Sequence, residues 1–367
     1  MTKKSDTFAV LNNKFSRRRF MSAAATVAAS TLPMPGIVRS AWADNKFAGS
    51  KVVFASWGGA YQNSQKVAFC EPFAKESGAT VIQDGPVDYG KLRAMLESGK
   101  PTWDVVDVTI DFLYSGVADN LFEKIDTSVV DVKRVNPKYV HEMGIGDIVW
   151  SYNLGYSKTA YKDGKHPQSW ADLFDLQKFP GRRMLRDRVS PMMEIALLAD
   201  GVSPDKIYPL DVDRAFKKLD TIKKQSIFWT TNSQSQQLMV DGEVSLGVII
   251  NGRAYDAVKK GANHIAIEWN QHIQSVDYLV VPKNAPNRAV AMALINQMTT
   301  KEAQAKVANL MALAPTNPEA FPLIEAEVKP WLTTNPDYAS KGMLVNENYW
   351  KSNLKPLSER WAQWKLA

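Results

Sequence analysis

The stretch LGVIINGR, residues 246–253, ends an apolar run (Leu246, Val248, Ile249, Ile250) on Asn251, Gly252 and Arg253. The run reads as a buried strand. Ala254 to Lys260, closed by Gly261, reads as a short helix with Asn251 as its N-cap. Arg253 then falls in the first helical turn, where unpaired N–H groups and the helix dipole already present partial positive charge. A guanidinium there has two chemistries open to it. It either snorkels into water or pairs with Asp256 or Glu268, or it shares an anion with the helix terminus.

The elements that must position such a residue follow from the pattern beyond Lys51, where short apolar strands alternate with amphipathic helices. KVVFAS, TVIQDG and WDVVDVT are the strands of a first α/β series, and IVWSYNLGYS alternates as a crossing strand would. RRMLRD, SIFWT and VSLGVII form a second series before SVDYLVVPKN returns. Two α/β series joined by extended segments predict two lobes with a cleft between them. Open α/β sheets bind ligands beyond the carboxyl ends of their strands. The strand-end residues are therefore the ones to inspect, residues 56–59, 109–111, 186–188, 229–231 and 251–253, and among them the candidates are Trp57 and Gly58, Thr109 and Asp111, Arg188, Trp229, and Asn251 with Arg253.

The N-terminus bears on where the protein works. Seven Lys/Arg and one acid within residues 1–43 flank a mildly apolar stretch that ends on the small-x-small pattern Ala41-Trp42-Ala43. This is a secretory signal and not a membrane span, because Ser, Thr, Pro and Gly interrupt it. SRRRFM, residues 16–21, resembles the twin-arginine signal, with an Arg-rich general secretory signal as the alternative. The formal charge of the whole chain is +7, of which the signal carries +6, so the remaining 324 residues are close to neutral. No basic patch is left to argue for nucleic acid.

The single cysteine, Cys70, stands in helical register with Val67 and Phe73 and reads as a core residue. Four scattered histidines and the absence of HExxH give no metal site, and neither GxGxxG nor GxSxG occurs, so no cofactor is expected. An exported enzyme is the competing class, supported mainly by the twin-arginine signal.

Taken in order, FASWGGAYQ, TWDVV, SWADLFD, DGEVSLGVIINGRAY and VDYLVVPKNAPN resemble the extracytoplasmic solute-binding proteins of ABC importers, nearest the spermidine/putrescine-binding branch. The resemblance implies a type II-like two-lobed α/β fold with hinge crossings, closing on one ligand per monomer. It implies residues 50–152 with 275–322 as one lobe and 155–272 with 325–367 as the other. It also implies a periplasmic location and an ABC permease as partner. Trp57 and Tyr61 match the aromatics of the polyamine cleft, Thr109 and Asp111 its polar strand end, and Asp277 the carboxylate that holds a ligand ammonium. Trp57 as plain core and Asp277 paired with a lysine are the alternatives.

Departures from that branch redirect the ligand. Ile250 and Ser275 replace aromatic wall residues, Arg188 stands near a family Asp, and Arg253 takes the place of a small residue. The cleft has lost acidic and aromatic groups and gained arginine. An ω-amino acid such as 4-aminobutyrate is the expectation, with a polyamine as runner-up.

Overall fold

The alternation read at IVWSYNLGYS belongs to a strand of 14 residues, Gly144–Ser157, and SVDYLVVPKN begins inside one of 16, Ile265–Val280. These two antiparallel strands form the middle of the molecule. The computed structural model describes residues 45–162 and 165–367. The signal expected over residues 1–43 lies outside the described residues.

In chain order the strands are β1 (Lys51–Ala55), β2 (Thr80–Asp84), β3 (Val105–Thr109), β4 (Val140–His141), β5 (Gly144–Ser157) and β6 (Arg183–Arg186). They continue with β7 (Ser226–Trp229), β8 (Leu246–Ile250), β9 (Ile265–Val280), β10 (Ala314–Pro315) and β11 (Met343–Leu344). The main sheet runs β2-β1-β3-β9-β5-β8-β6-β7. β1 pairs in parallel with β2 and β3, and β6 in parallel with β7 and β8. Each parallel group is joined antiparallel to a crossing strand. β3 meets β9 only over Asp277 to Val280, and β8 meets β5 only over Tyr152 to Tyr156. One end of the crossing pair therefore serves the first α/β series and the other end serves the second.

Burial explains the strand sequences. All five residues of β8 are buried, as expected where helices cover both faces of a parallel group. Cys70 is a buried core residue at the end of a π-helical turn, Lys66–Cys70. The C-terminal helix Glu347–Leu366 packs against the helices Ile110–Ala118 and Val189–Ala199, one from each series, and buries Trp350 and Trp361. Among the described residues no helix is long and apolar enough to cross a membrane.

The crossing pair is interrupted twice. Gly146 faces Tyr278 and Ile148 faces Asp277, so Asp147 is the extra residue of a β-bulge. Farther along, Tyr152 faces Ile273 but Leu154 faces Glu268, so β9 makes an excursion over residues 269–272. Gln271 there has φ 59°, and the excursion is tied down by Trp170 Nε1 donating to its carbonyl at 2.7 Å. Trp269 stacks on Tyr338 with ring centroids 4.2 Å apart.

Candidate functional site

A cavity with about 650 Å³ of empty space opens at the carboxyl ends of β1, β3, β6 and β8. Trp57, Tyr61, Thr109 and Asp277 line it from one side, and Arg186, Arg188, Asn232, Ile250, Gly252 and Arg253 from the other. Ile148, Trp150 and Tyr152 of β5 form its floor, alternate residues facing one side as a strand requires. Met311 and Leu313 complete the lining. The mixed lining of aromatic, charged and polar groups suits a small organic molecule.

One wall is cationic. Arg253 is the third residue of the helix Asn251–Lys259 and is half-buried. Both carboxylates that would make it an ordinary surface pair are engaged elsewhere. Asp256 accepts from Lys260 at 2.8 Å and from Gln236 at 2.7 Å, while Glu268 caps the backbone of Trp269 and Asn270 and sits 3.7 Å from His166. Burial lowers the pKa of Arg253, opposed only by the more distant charge of Asp256. Arg186 is buried at the end of β6, lies over the Trp229 ring at 4.4 Å and donates Nη1–H to the Thr230 carbonyl at 2.8 Å. Its Nε–H is buried without a partner. An anion entering here meets Arg186 and Arg253, neither of which is ion-paired to a carboxylate among the described residues, while the charge of Asp111 supports Arg188. A bidentate pair with one of them is the strong form of that interaction.

The opposite wall is acidic and aromatic. Asp277 is buried, faces Thr109 on β3 and Ile148 on β5, and accepts Trp150 Nε1–H at 2.8 Å through Oδ1. Burial raises its pKa, helped by the charges of Asp107 and Asp147. Trp150 meets Tyr152 edge to face at 4.9 Å, and Trp57 meets Tyr89 at 5.7 Å. Aromatic faces beside a carboxylate suit an ammonium and its alkyl chain.

A wider outer chamber of about 1160 Å³ shares Thr109, Trp150, Tyr152 and Arg188 with this cavity. Asp111 lines the outer chamber opposite Arg188 and does not reach the inner one. The first turn of the helix Ile110–Ala118 carries it away from β3 and toward the mouth.

The structure places three further strand-end residues outside the cavity lining. Asn251 is not an N-cap and does not line the cavity: the helix begins at Asn251 itself, directly after β8, with no side-chain cap. Its buried side chain accepts from the Ser151 amide at 3.0 Å and donates to the carbonyls of Ala312 (2.8 Å) and Trp331 (2.9 Å). It joins the crossing strand to two distant segments. Asn251→Ala should therefore lower stability by about 1–3 kcal/mol, because three buried backbone groups lose a partner. A melting curve should fall by several degrees while the ligand preference stays the same. Trp229 is fully buried and donates Nε1–H to the Val248 carbonyl at 3.0 Å, so it is the platform under Arg186 and not a wall. Gly58, at φ 75°, forms the turn into the helix Gly59–Gln65 and donates its N–H to Gln62 Oε1, leaving the lining to Trp57 and Tyr61.

Ile148, Trp150, Tyr152, Asn232, Met311 and Leu313 are absent from the sequence-based candidates. The i, i+2 spacing of Ile148, Trp150 and Tyr152 in a crossing strand is the signal that exposes the floor. Gly252 serves by being small, since a Cβ there would stand 2.7 Å from the Met311 carbonyl oxygen.

Residues 68–339 match the family model of bacterial extracellular solute-binding proteins. The chain is 32% identical over 316 residues to a gamma-aminobutyric acid-binding protein of Pseudomonas aeruginosa, covering 84% of this chain and 89% of that protein. It is 26% identical over 281 residues to the spermidine/putrescine-binding periplasmic protein of Escherichia coli, covering 73% and 79%. Among solved structures it resembles a GABA receptor at 41% identity with a TM-score of 0.80, covering 86% of this chain and 98% of that one. The chain belongs to the bacterial extracellular solute-binding proteins, two-lobed α/β proteins that capture small solutes for the membrane permeases of ABC importers.

Proposed function

We propose that this chain binds a solute carrying an ammonium at one end and a carboxylate at the other, an ω-amino acid such as 4-aminobutyrate, and delivers it to an inner-membrane ABC permease. The observation that carries this reading is one cavity with Arg253, in no ion pair among the described residues, on one wall and buried Asp277 on the other. The P. aeruginosa and GABA-receptor relatives support it by what their names say they bind. A polyamine would place a second cation against Arg186, Arg188 and Arg253. Residues 50–152 with 275–322 and residues 155–272 with 325–367 act as the two lobes, and closure follows binding. The protein works as a periplasmic monomer.

A thermal-shift screen of amines, amino acids and carboxylates tests the reading. A ligand at ~100 times its Kd should add ~2.7 kcal/mol of stability. Stabilisation by 4-aminobutyrate, and not by butyrate or putrescine, is the expected pattern. Turnover of any of these compounds would replace binding with catalysis as the function.

Export is proposed to follow the twin-arginine route, with cleavage before Asp44. Arg17→Lys together with Arg18→Lys should leave the precursor inside the cell, as read by fractionation. Undiminished export would assign the signal to the general secretory route instead.

A further inference from the structure

Behind the acidic wall lie two carboxylates that do not line the cavity. Asp107, in β3, is fully buried and accepts from Tyr61 Oη (2.7 Å), Gln65 Nε2 (2.8 Å) and Trp57 Nε1 (3.2 Å). Asp147, the bulge residue of β5, is also fully buried and accepts from Gln65 Nε2 at 3.0 Å and Tyr61 Oη at 3.4 Å through Oδ2 alone. Its Oδ1 is buried without any partner.

Among the described residues neither carboxylate has a cation in an ion pair with it. The helices packed here contribute Tyr61, Gln65 and Cys70 from one side and Gln304 from the other, while β9 contributes Asp277 and the helix after β3 contributes Asp111. Burial and then the charge of Asp107 raise the proton affinity of both Asp147 and Asp277, and Asp147 adds to the latter, while burial raises Asp107 to about 6 against the hydrogen bonds it accepts. Among the described residues no acidic group is arranged to hold a metal ion. Buried carboxylates without a cation are costly and call for one. The bulge is the local device that turns Asp147 toward the others.

We propose that Asp107 and Asp147 are specificity-determining residues that act from behind Tyr61 and Asp277, making this end of the cavity selective for an ammonium. Asp107 also positions the wall, since Trp57 and Tyr61, two of the aromatic donors that line the cavity, hydrogen-bond to it. The ligand's ammonium takes over the role of a proton held within the cluster, and that proton leaves to the buffer. This rests on the ω-amino-acid reading for the choice of ligand and goes beyond it in assigning selectivity to residues outside the lining.

The test is calorimetry of the wild-type protein and of Asp147→Asn with 4-aminobutyrate and with butyrate, each in two buffers of different ionisation enthalpy near pH 6. The variant should bind 4-aminobutyrate about tenfold or more weakly while butyrate changes by less than about twofold. Proton release on 4-aminobutyrate binding should also shrink. Equal loss of both ligands, or no loss of either, overturns the proposal. Asp107→Asn provides a second variant, expected to shift the same ratio. If the wild type takes putrescine in place of 4-aminobutyrate, the ω-amino-acid reading fails. The ratio of putrescine to butyrate affinity then decides this proposal. If no amine binds, both are overturned.

Discussion

Arg253→Ala should weaken 4-aminobutyrate binding by about 30-fold or more, a cost of ~2–5 kcal/mol. The size of the effect comes from what the carboxylate leaves behind in water. A ligand anion that enters the cleft is desolvated, and without Arg253 the cations left on the same wall are Arg186 and Arg188. Arg186 already spends Nη1 on the Thr230 carbonyl, so it replaces Arg253 poorly. Arg253→Lys should recover part of the affinity, since a point charge returns but the planar fork does not. Putrescine, with no carboxylate, should bind the Ala variant at least as well as the wild type. Calorimetry on the three proteins gives all of these values.

Asp277→Asn should cost a similar ~2–5 kcal/mol for any amine ligand, because the ammonium then enters a buried site without its opposite charge. Asparagine keeps an oxygen for Trp150 Nε1–H, so the wall should stay in place. The pH dependence separates charge from shape. Burial, with Asp107 and Asp147 adding to it, raises the pKa of Asp277 in the unliganded protein, so the ionised form that an ammonium needs becomes available as pH rises. Wild-type affinity should therefore climb from acid pH through that raised value and then level off, and the Asn variant should show a flatter profile.

Stability follows the same group with the opposite sign. A carboxyl whose folded pKa is raised contributes fully below its unfolded value, and the contribution is lost as pH rises through the folded value. The ligand-free protein should lose stability over that window, and 4-aminobutyrate should restore more of it at the upper end.

Much of the fold is legible in the sequence because it rests on periodicity. β1, β3 and β8 are short apolar runs that stop at polar residues, and IVWSYN alternates through the crossing strand. Arg253 is legible for the same reason: a strand end followed at once by a helix fixes its place in the first turn. What stayed hidden depends on partners remote in the chain. Asn251 has the right type for a cap, but its acceptors and donor lie at Ser151, Ala312 and Trp331. Trp229 ends a strand as Trp57 follows one, yet its indole turns inward to Val248 and supports Arg186 from below. Asp107 sits mid-strand between buried valines and Asp147 owes its placement to a one-residue bulge, and neither local pattern announces a bulge or a shared carboxylate cluster.

The central claim is that one cavity holds opposite charges for the two ends of one small molecule. Calorimetric titration of the protein lacking residues 1–43 with 4-aminobutyrate, butyrate and putrescine tests it most directly. Saturable binding of 4-aminobutyrate at one site per chain is the expected result, with butyrate and putrescine each weaker by about a hundredfold or more, since each leaves one buried charge unpaired. Tight binding of putrescine by a protein that ignores every carboxylate would contradict it and return Arg253 to the role of an unused surface cation.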